Sequence, residues 1–316
     1  MKLPNLPKEY QIFPHSVPFV IPDFEKTYRE GDAVLSLNDI NTKQWFEEFI
    51  VRIEQAIKKN EFLPICRMSD GEFMFCVGEK LPSIRTGFLN RTVYLLRRTA
   101  SKIVKGNNFR ANTLPTVPSG NYTQSERKSA LLTYAVYVKE LSEKGILALD
   151  LTYWEEPFQE QYFPDFKKWL LQNGIDINTN NYFPFYFVYA SLLGPVKSRI
   201  LKDRNVLIVH SASGAKREKI ESELYKIGVK NVEWLTISAD RSLYDRIDIK
   251  GIKQQPNLCL IGAGVGKPNI MLQLEQLKVP CIDAGYVFEV WHNSENQWKR
   301  RYCTEDELYV ADKINF

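Results

Sequence analysis

Two carboxylates separated by a single glycine, Asp70-Gly71-Glu72, lie in the run Arg67-Met68-Ser69-Asp70-Gly71-Glu72-Phe73, directly after the apolar stretch Phe62 to Cys66. Glycine permits a tight backbone, so both acids can turn toward one hard cation such as Mn²⁺ or Mg²⁺. An ion held there can bridge a diphosphate and neutralise the charge that builds on a departing nucleoside diphosphate. Arg67, beside the pair, can bind a phosphate or fix a carboxylate. The plainer reading of the same residues is local: Asp70 opens a turn and Glu72 caps the next helix. Spacing alone favours the local reading.

Other residues of the right type follow strand-like runs. Asp150, Asp240 and Asp283 each come at or just after the end of one, and each is a candidate to take a proton from an attacking hydroxyl, against an ordinary role in a turn. The run His210-Ser211-Ala212-Ser213-Gly214-Ala215-Lys216-Arg217 places small hydroxyl residues and a glycine before a helix whose first turn carries two cations. Ser211, Ser213, Gly214 and Lys216 therefore make a candidate phosphate cradle, with a Ser-capped, solvated helix as the bland alternative. His210 reads as a hydrogen-bonding residue of the same rim. In Gly262-Ala263-Gly264-Val265-Gly266-Lys267-Pro268, the third glycine of a dinucleotide fingerprint is misplaced, and Pro268 stands where a P-loop needs Ser or Thr. Gly262 and Gly264 still allow a ligand to approach the main chain.

These residues need a scaffold that brings distant segments together. From Asn41, Trp45, Phe46, Phe49, Ile50, Ile53 and Ile57 recur at helical spacing, which predicts a helix to about Asn60. Short apolar runs ending in polar or glycine-rich loops then recur at 62–67, 111–117, 145–149, 206–209, 232–237, 258–261 and 279–282, with helical segments between several of them. This alternation predicts a Rossmann-like α/β fold, a mostly parallel sheet with helices on both faces. Ligands of such sheets bind outside the carboxyl ends of the strands, where the loops named above lie.

Residues 1–40, rich in proline and aromatic rings, read as an extended N-terminal arm, and 41–316 as one α/β domain of two lobes with a seam near 153–195. Tyr153, Trp154, Tyr182 and Tyr186, near that seam, can stack on an acceptor or fill the core.

Composition narrows the field. With 42 Lys+Arg against 38 Asp+Glu in scattered positions, the 316-residue chain shows no basic stripe for a nucleic acid. Five cysteines without metal-site spacing, no secretory-type apolar start and no long apolar run point to a cytoplasmic protein. The cluster Trp298-Lys299-Arg300-Arg301-Tyr302 allows peripheral contact with an anionic membrane at its inner face.

The run from Arg67 to Glu72 resembles the Arg-Phe-Gly-Asp-Gly-Glu signature of the GT-D-type glycosyltransferases, departing from it at Met68 and Ser69. The segments 258–264 and 279–286 are similar to the family's closing strands, though Tyr286 stands where the family tends to have His. The resemblance implies metal-assisted transfer of a sugar, with inversion, from a nucleoside diphosphate sugar to a glycan or lipid-linked glycan acceptor of bacterial surface polysaccharide or glycoprotein synthesis. Asp70 and Glu72 are then the implied metal and diphosphate site. The rivals are an α/β phosphohydrolase or nucleotide-binding enzyme that uses the same acids, and a non-enzymatic sugar-binding or scaffold protein of an envelope-assembly complex.

Overall fold

A computed structural model of the protein describes residues 40–78, 122–149, 165–166, 168–177 and 180–299. Its helices are α1 (Ile40–Lys59), α2 (Asp70–Val77), α3 (Gln124–Lys144), α4 (Tyr186–Leu193), α5 (Lys197–Leu201), α6 (Gly214–Ile227), α7 (Lys267–Gln273) and α8 (Val287–His292). Its strands are β1 (Leu63–Met68), β2 (Ile146–Leu149), β3 (Tyr182–Pro184), β4 (Asn205–His210), β5 (Asn231–Thr236), β6 (Leu258–Gly262) and β7 (Pro280–Asp283). Among the described residues, these seven strands join one sheet in the order β3-β2-β1-β7-β6-β4-β5, and every pairing between them is parallel.

The pattern of the strands explains this arrangement. Central strands such as β2 and β6 are apolar at nearly every position and buried along their length, as a parallel sheet covered on both faces requires. The edge strand β5 is only half-buried at most of its positions. One face of the sheet is covered by α1, α4, α5, α6 and α8, and the other by α2, α3 and α7.

Helix α1 buries the whole of its expected stripe, Trp45, Phe46, Phe49, Ile50, Ile53 and Ile57. Trp45 and Phe49 pack on Phe183 at ring separations of 5.7 and 5.2 Å, and Phe46 meets Phe187 edge-on at 5.1 Å. Each such ring stabilises the fold by about 1.5–3 kcal/mol relative to an exposed one.

Six of the expected strands appear within a residue or so of their sequence-based limits. Strand β3 was not expected. Its residues Tyr182 and Phe183 were read as part of a seam, with Tyr182 a candidate for stacking on an acceptor. Tyr182 is instead buried against Trp45 at 5.8 Å. Three residues ending in a proline give too little alternation to mark a strand, and proline is tolerated because β3 is an edge. The arm at 1–39, the run 111–117, Asp150, Tyr153, Trp154 and the cluster's residues 300–302 lie outside the described residues, as do the side chains of Tyr186, Trp298 and Lys299. No described helix is long and apolar enough to cross a membrane.

Gly145 joins α3 to β2 against β1, and a methyl group there meets the Pro64 carbonyl oxygen at 2.2 Å and the Pro64 ring at 2.7 Å. Gly145→Ala is expected to destabilise the protein by about 1–3 kcal/mol through forced separation of β1 and β2. The urea midpoint of unfolding measures it, and a midpoint equal to wild type would contradict the packing described.

Candidate functional site

Strand order reverses at β1. The next strands in the chain, β2 and β3, lie on one side of it, while β4 to β7 lie on the other. A crevice opens at the carboxyl ends of strands where the order reverses. Here the ends of β1, β7, β6 and β4 enclose a cleft of about 210 Å³ lined by Arg67, Gly71, Glu72, His210, Lys267 and Asp283, among others. That is below the roughly 300–1,000 Å³ usual for a whole small-molecule site, so the described residues bound the space for only part of a ligand of that size.

The floor of the cleft is a buried network of four charges. Asp283, the last residue of β7, is 1% exposed. Its Oδ1 accepts from Arg67 Nη2 at 3.1 Å and its Oδ2 from Lys267 Nζ at 2.7 Å. Arg67 Nε also donates to the Asp283 carbonyl at 2.8 Å. Lys267 Nζ reaches Glu72 Oε1 at 2.8 Å, while Glu72 Oε2 accepts from the Ser69 backbone N–H at 3.0 Å. Glu72 therefore does cap α2, as the local reading held, and it also binds a cation. The Arg67 guanidinium lies over the Tyr189 ring at 4.5 Å, a favourable cation–π contact.

Burial disfavours the charges of Arg67, Lys267 and Asp283, and their pairing offsets it. Burial raises the Asp283 carboxyl, but Arg67 and Lys267 outweigh it, so its pKa lies below the ordinary value. Burial likewise lowers the Lys267 ammonium, and Asp283 and Glu72 more than compensate, leaving it above its usual range. Both groups stay ionised at neutral pH.

His210 ends β4 on the wall of the cleft. Its Nδ1 accepts from the Ala212 backbone N–H at 2.8 Å, so the neutral ring carries its proton on Nε2. Burial first, then the nearby Lys216 cation, pushes its pKa down to about 4. His210 is thus a neutral donor rather than a base. Glu289 of α8 also lines the cleft, pairs with Lys216 and keeps a side chain 38% exposed.

Of the residues expected from sequence, Arg67, Gly71, Glu72, Gly262, Gly264 and Asp283 converge on the cleft. Ser211, Ser213, Gly214 and Lys216 do not line it, although Lys216 meets Glu289 at its wall. Asp240 is exposed in a turn and does not line it either. Asp70 opens α2, with its carboxylate outside the described residues, and Asp150 lies outside them altogether. Among the described residues, no three His, Cys, Asp or Glu side chains converge to hold a metal. Lys267, Glu289 and Tyr189 were missed. Lys267 left one signal: a lone cation in the first turn of a helix, where the dipole disfavours it, needs anionic partners.

No family model and no curated relative matches the chain. Among solved structures, it is similar at 14% identity and TM-score 0.43, over 79% of each chain, to two structures of domain of unknown function 1792, one described as having a distinct glycosyltransferase fold. It is also similar at 12% identity and TM-score 0.46, over 79% of this chain and 82% of that one, to a structure described as a new glycosyltransferase of the same domain type from Streptococcus sanguinis. Likeness at this level supports no inference about activity.

Two outcomes follow from the geometry. Gly285 has φ +45°, and a methyl group there falls 1.8 Å from Arg67 Nη2. Gly285→Ala is therefore expected to displace Arg67 from Asp283 and cost about 3–5 kcal/mol, the usual penalty for breaking a buried ion pair, measured by denaturant unfolding. His210 binds a proton in the unfolded chain below its ordinary value of 6.5 but in the folded chain only near 4. Its contribution is then fully present above that upper value and is lost as pH falls toward the lower one. His210→Gln should flatten the stability–pH curve across that window; an unchanged slope would show that His210 is not held neutral.

Proposed function

We propose that the protein is a glycosyltransferase that moves a sugar from a nucleoside diphosphate sugar to a glycan or lipid-linked glycan acceptor, by an inverting displacement at the cleft above β1, β7, β6 and β4. The observation that carries this reading is the convergence, at the carboxyl rim of a parallel sheet, of Arg67, Lys267 and the His210 N–H beside the glycines Gly262 and Gly264. Such donors suit an oxyanion that gains charge as a bond to the diphosphate breaks. The likeness of the run from Arg67 to Glu72 to the GT-D-type signature adds to it.

The acceptor hydroxyl must lose a proton as its oxygen bonds to the sugar carbon and the diphosphate departs. Asp283 is a poor base, because both of its oxygens are engaged by cations and its pKa is lowered. Glu289 is partly exposed on the cleft wall, with one oxygen on Lys216, and is the carboxylate we assign to this proton. The expected Mn²⁺ or Mg²⁺ was placed on Asp70 and Glu72; the Asp70 carboxylate lies outside the described residues, and both Glu72 oxygens are engaged, by Lys267 and by the Ser69 N–H.

A phosphohydrolase uses similar groups and is separated by its products. Incubated with nucleotide sugars and a glycan acceptor, the protein should release nucleoside diphosphate only when the acceptor is present. Release of free sugar or phosphate without acceptor would point to hydrolysis, and no reaction or nucleotide binding would favour the scaffold reading. Glu289→Gln should lower kcat by about 10²- to 10⁴-fold, the usual contribution of a general base, with little change in KM. An equal loss spread over KM alone would remove Glu289 from the proton transfer.

A further inference from the structure

We infer that the Lys267 ammonium takes the place of a divalent cation in this cleft, so that nucleoside diphosphate binding is independent of metal. The inference rests on the proposed function and specifies how its anionic leaving group is held.

All four oxygens of the two described acids at the cleft floor are engaged. Glu72 offers Oε1 to Lys267 and Oε2 to the Ser69 N–H. Asp283 offers Oδ1 to Arg67 and Oδ2 to Lys267. A hard divalent ion needs carboxylate oxygens facing it with free lone pairs and a shell of about six ligands. Between these two acids stands an ammonium at 2.8 and 2.7 Å, and a metal ion could reach both only by displacing it. Displacement is opposed by the setting of Lys267. It is 4% exposed, fixed at the start of α7 ahead of Pro268, and its charge is stabilised by both acids.

An ammonium has three N–H donors; one goes to Asp283 Oδ2, and a second is accounted for by the ion pair with Glu72 Oε1 at 2.8 Å. Lys267 lines the cleft, so the third is available to a phosphate oxygen there. The neutral His210 supplies a further N–H on the same wall. Together they provide fixed positive and dipolar donors of the kind that a bridging ion otherwise gives to a diphosphate.

Calorimetry on the full chain tests this, with Mn²⁺ alone as one titrant and UDP, GDP, CDP and dTDP, each in EDTA or in Mn²⁺, as the others. One nucleotide is expected to bind with a Kd that differs by less than about two-fold between EDTA and Mn²⁺, and wild type is expected to take up no stoichiometric Mn²⁺. Lys267→Met should weaken that nucleotide by at least about ten-fold, the scale of a lost charge-assisted hydrogen bond. Because this variant leaves Glu72 unpaired, Glu72→Gln combined with Lys267→Met is measured beside it; Asp283 keeps Arg67, and the same weakening is expected from a pair with no stranded charge. Nucleotide binding that requires Mn²⁺, or stoichiometric Mn²⁺ uptake by wild type, overturns the inference. If no nucleotide binds under any condition, the proposed function fails, and the Mn²⁺ titration still decides: uptake by wild type overturns the inference, whereas uptake confined to Lys267→Met upholds it.

Discussion

Four charges that belong to three neighbouring strand ends have to be buried together or not at all. Arg67 comes from β1, Asp283 from β7, Lys267 from the turn after β6, and Glu72 from the helix that follows β1. A lone buried charge costs several kcal/mol, so each member is admissible only because the others are present. That constraint fixes how the loops leave the sheet. It also explains where glycine is needed: the Arg67 guanidinium occupies the space that a side chain at Gly285 would take, and the His210 ring does the same at Gly262, where a methyl group falls 2.3 Å from the ring.

The network divides the ionisable groups of the cleft into two kinds. Those on the floor are paired with one another in buried contacts. At the wall, His210 is held neutral by burial and by Lys216, and Glu289 keeps access to solvent. Under the proposed function, electrostatic support and proton transfer fall to separate side chains on separate elements.

Much of the scaffold was readable from the chain. The stripe from Trp45 to Ile57 and six of the strands announced themselves because apolar runs bounded by glycine and polar loops have few other uses. Arg67, Glu72 and Asp283 were also visible as chemistry at strand ends. Their partnership was not, since it depends on Lys267, which sits in a run that looked like a failed P-loop and gave no hint of which carboxylates it would meet across the sheet. Ser211, Ser213 and Gly214 show the opposite case. Their composition suits a phosphate cradle, yet only His210 of that segment lines the cleft, because residue type does not say toward which side a loop leans. Glu72 follows the local reading, capping α2 with one oxygen, and its other oxygen meets Lys267, a partner that neither reading had supplied.

The two borders of the sheet bear on how copies of this chain meet. An open border with unpaired backbone groups is a template on which a strand from another molecule can add, and long flat ones lead to aggregation. At one side β3 presents only three residues, and Pro184 among them has no N–H to give. At the other, β5 carries Glu233, whose carboxylate accepts the backbone N–H groups of Lys253 and Gln254 and so ties a following segment to that border. Among the described residues, the β3 border therefore offers little free backbone, and addition of a strand there is discouraged.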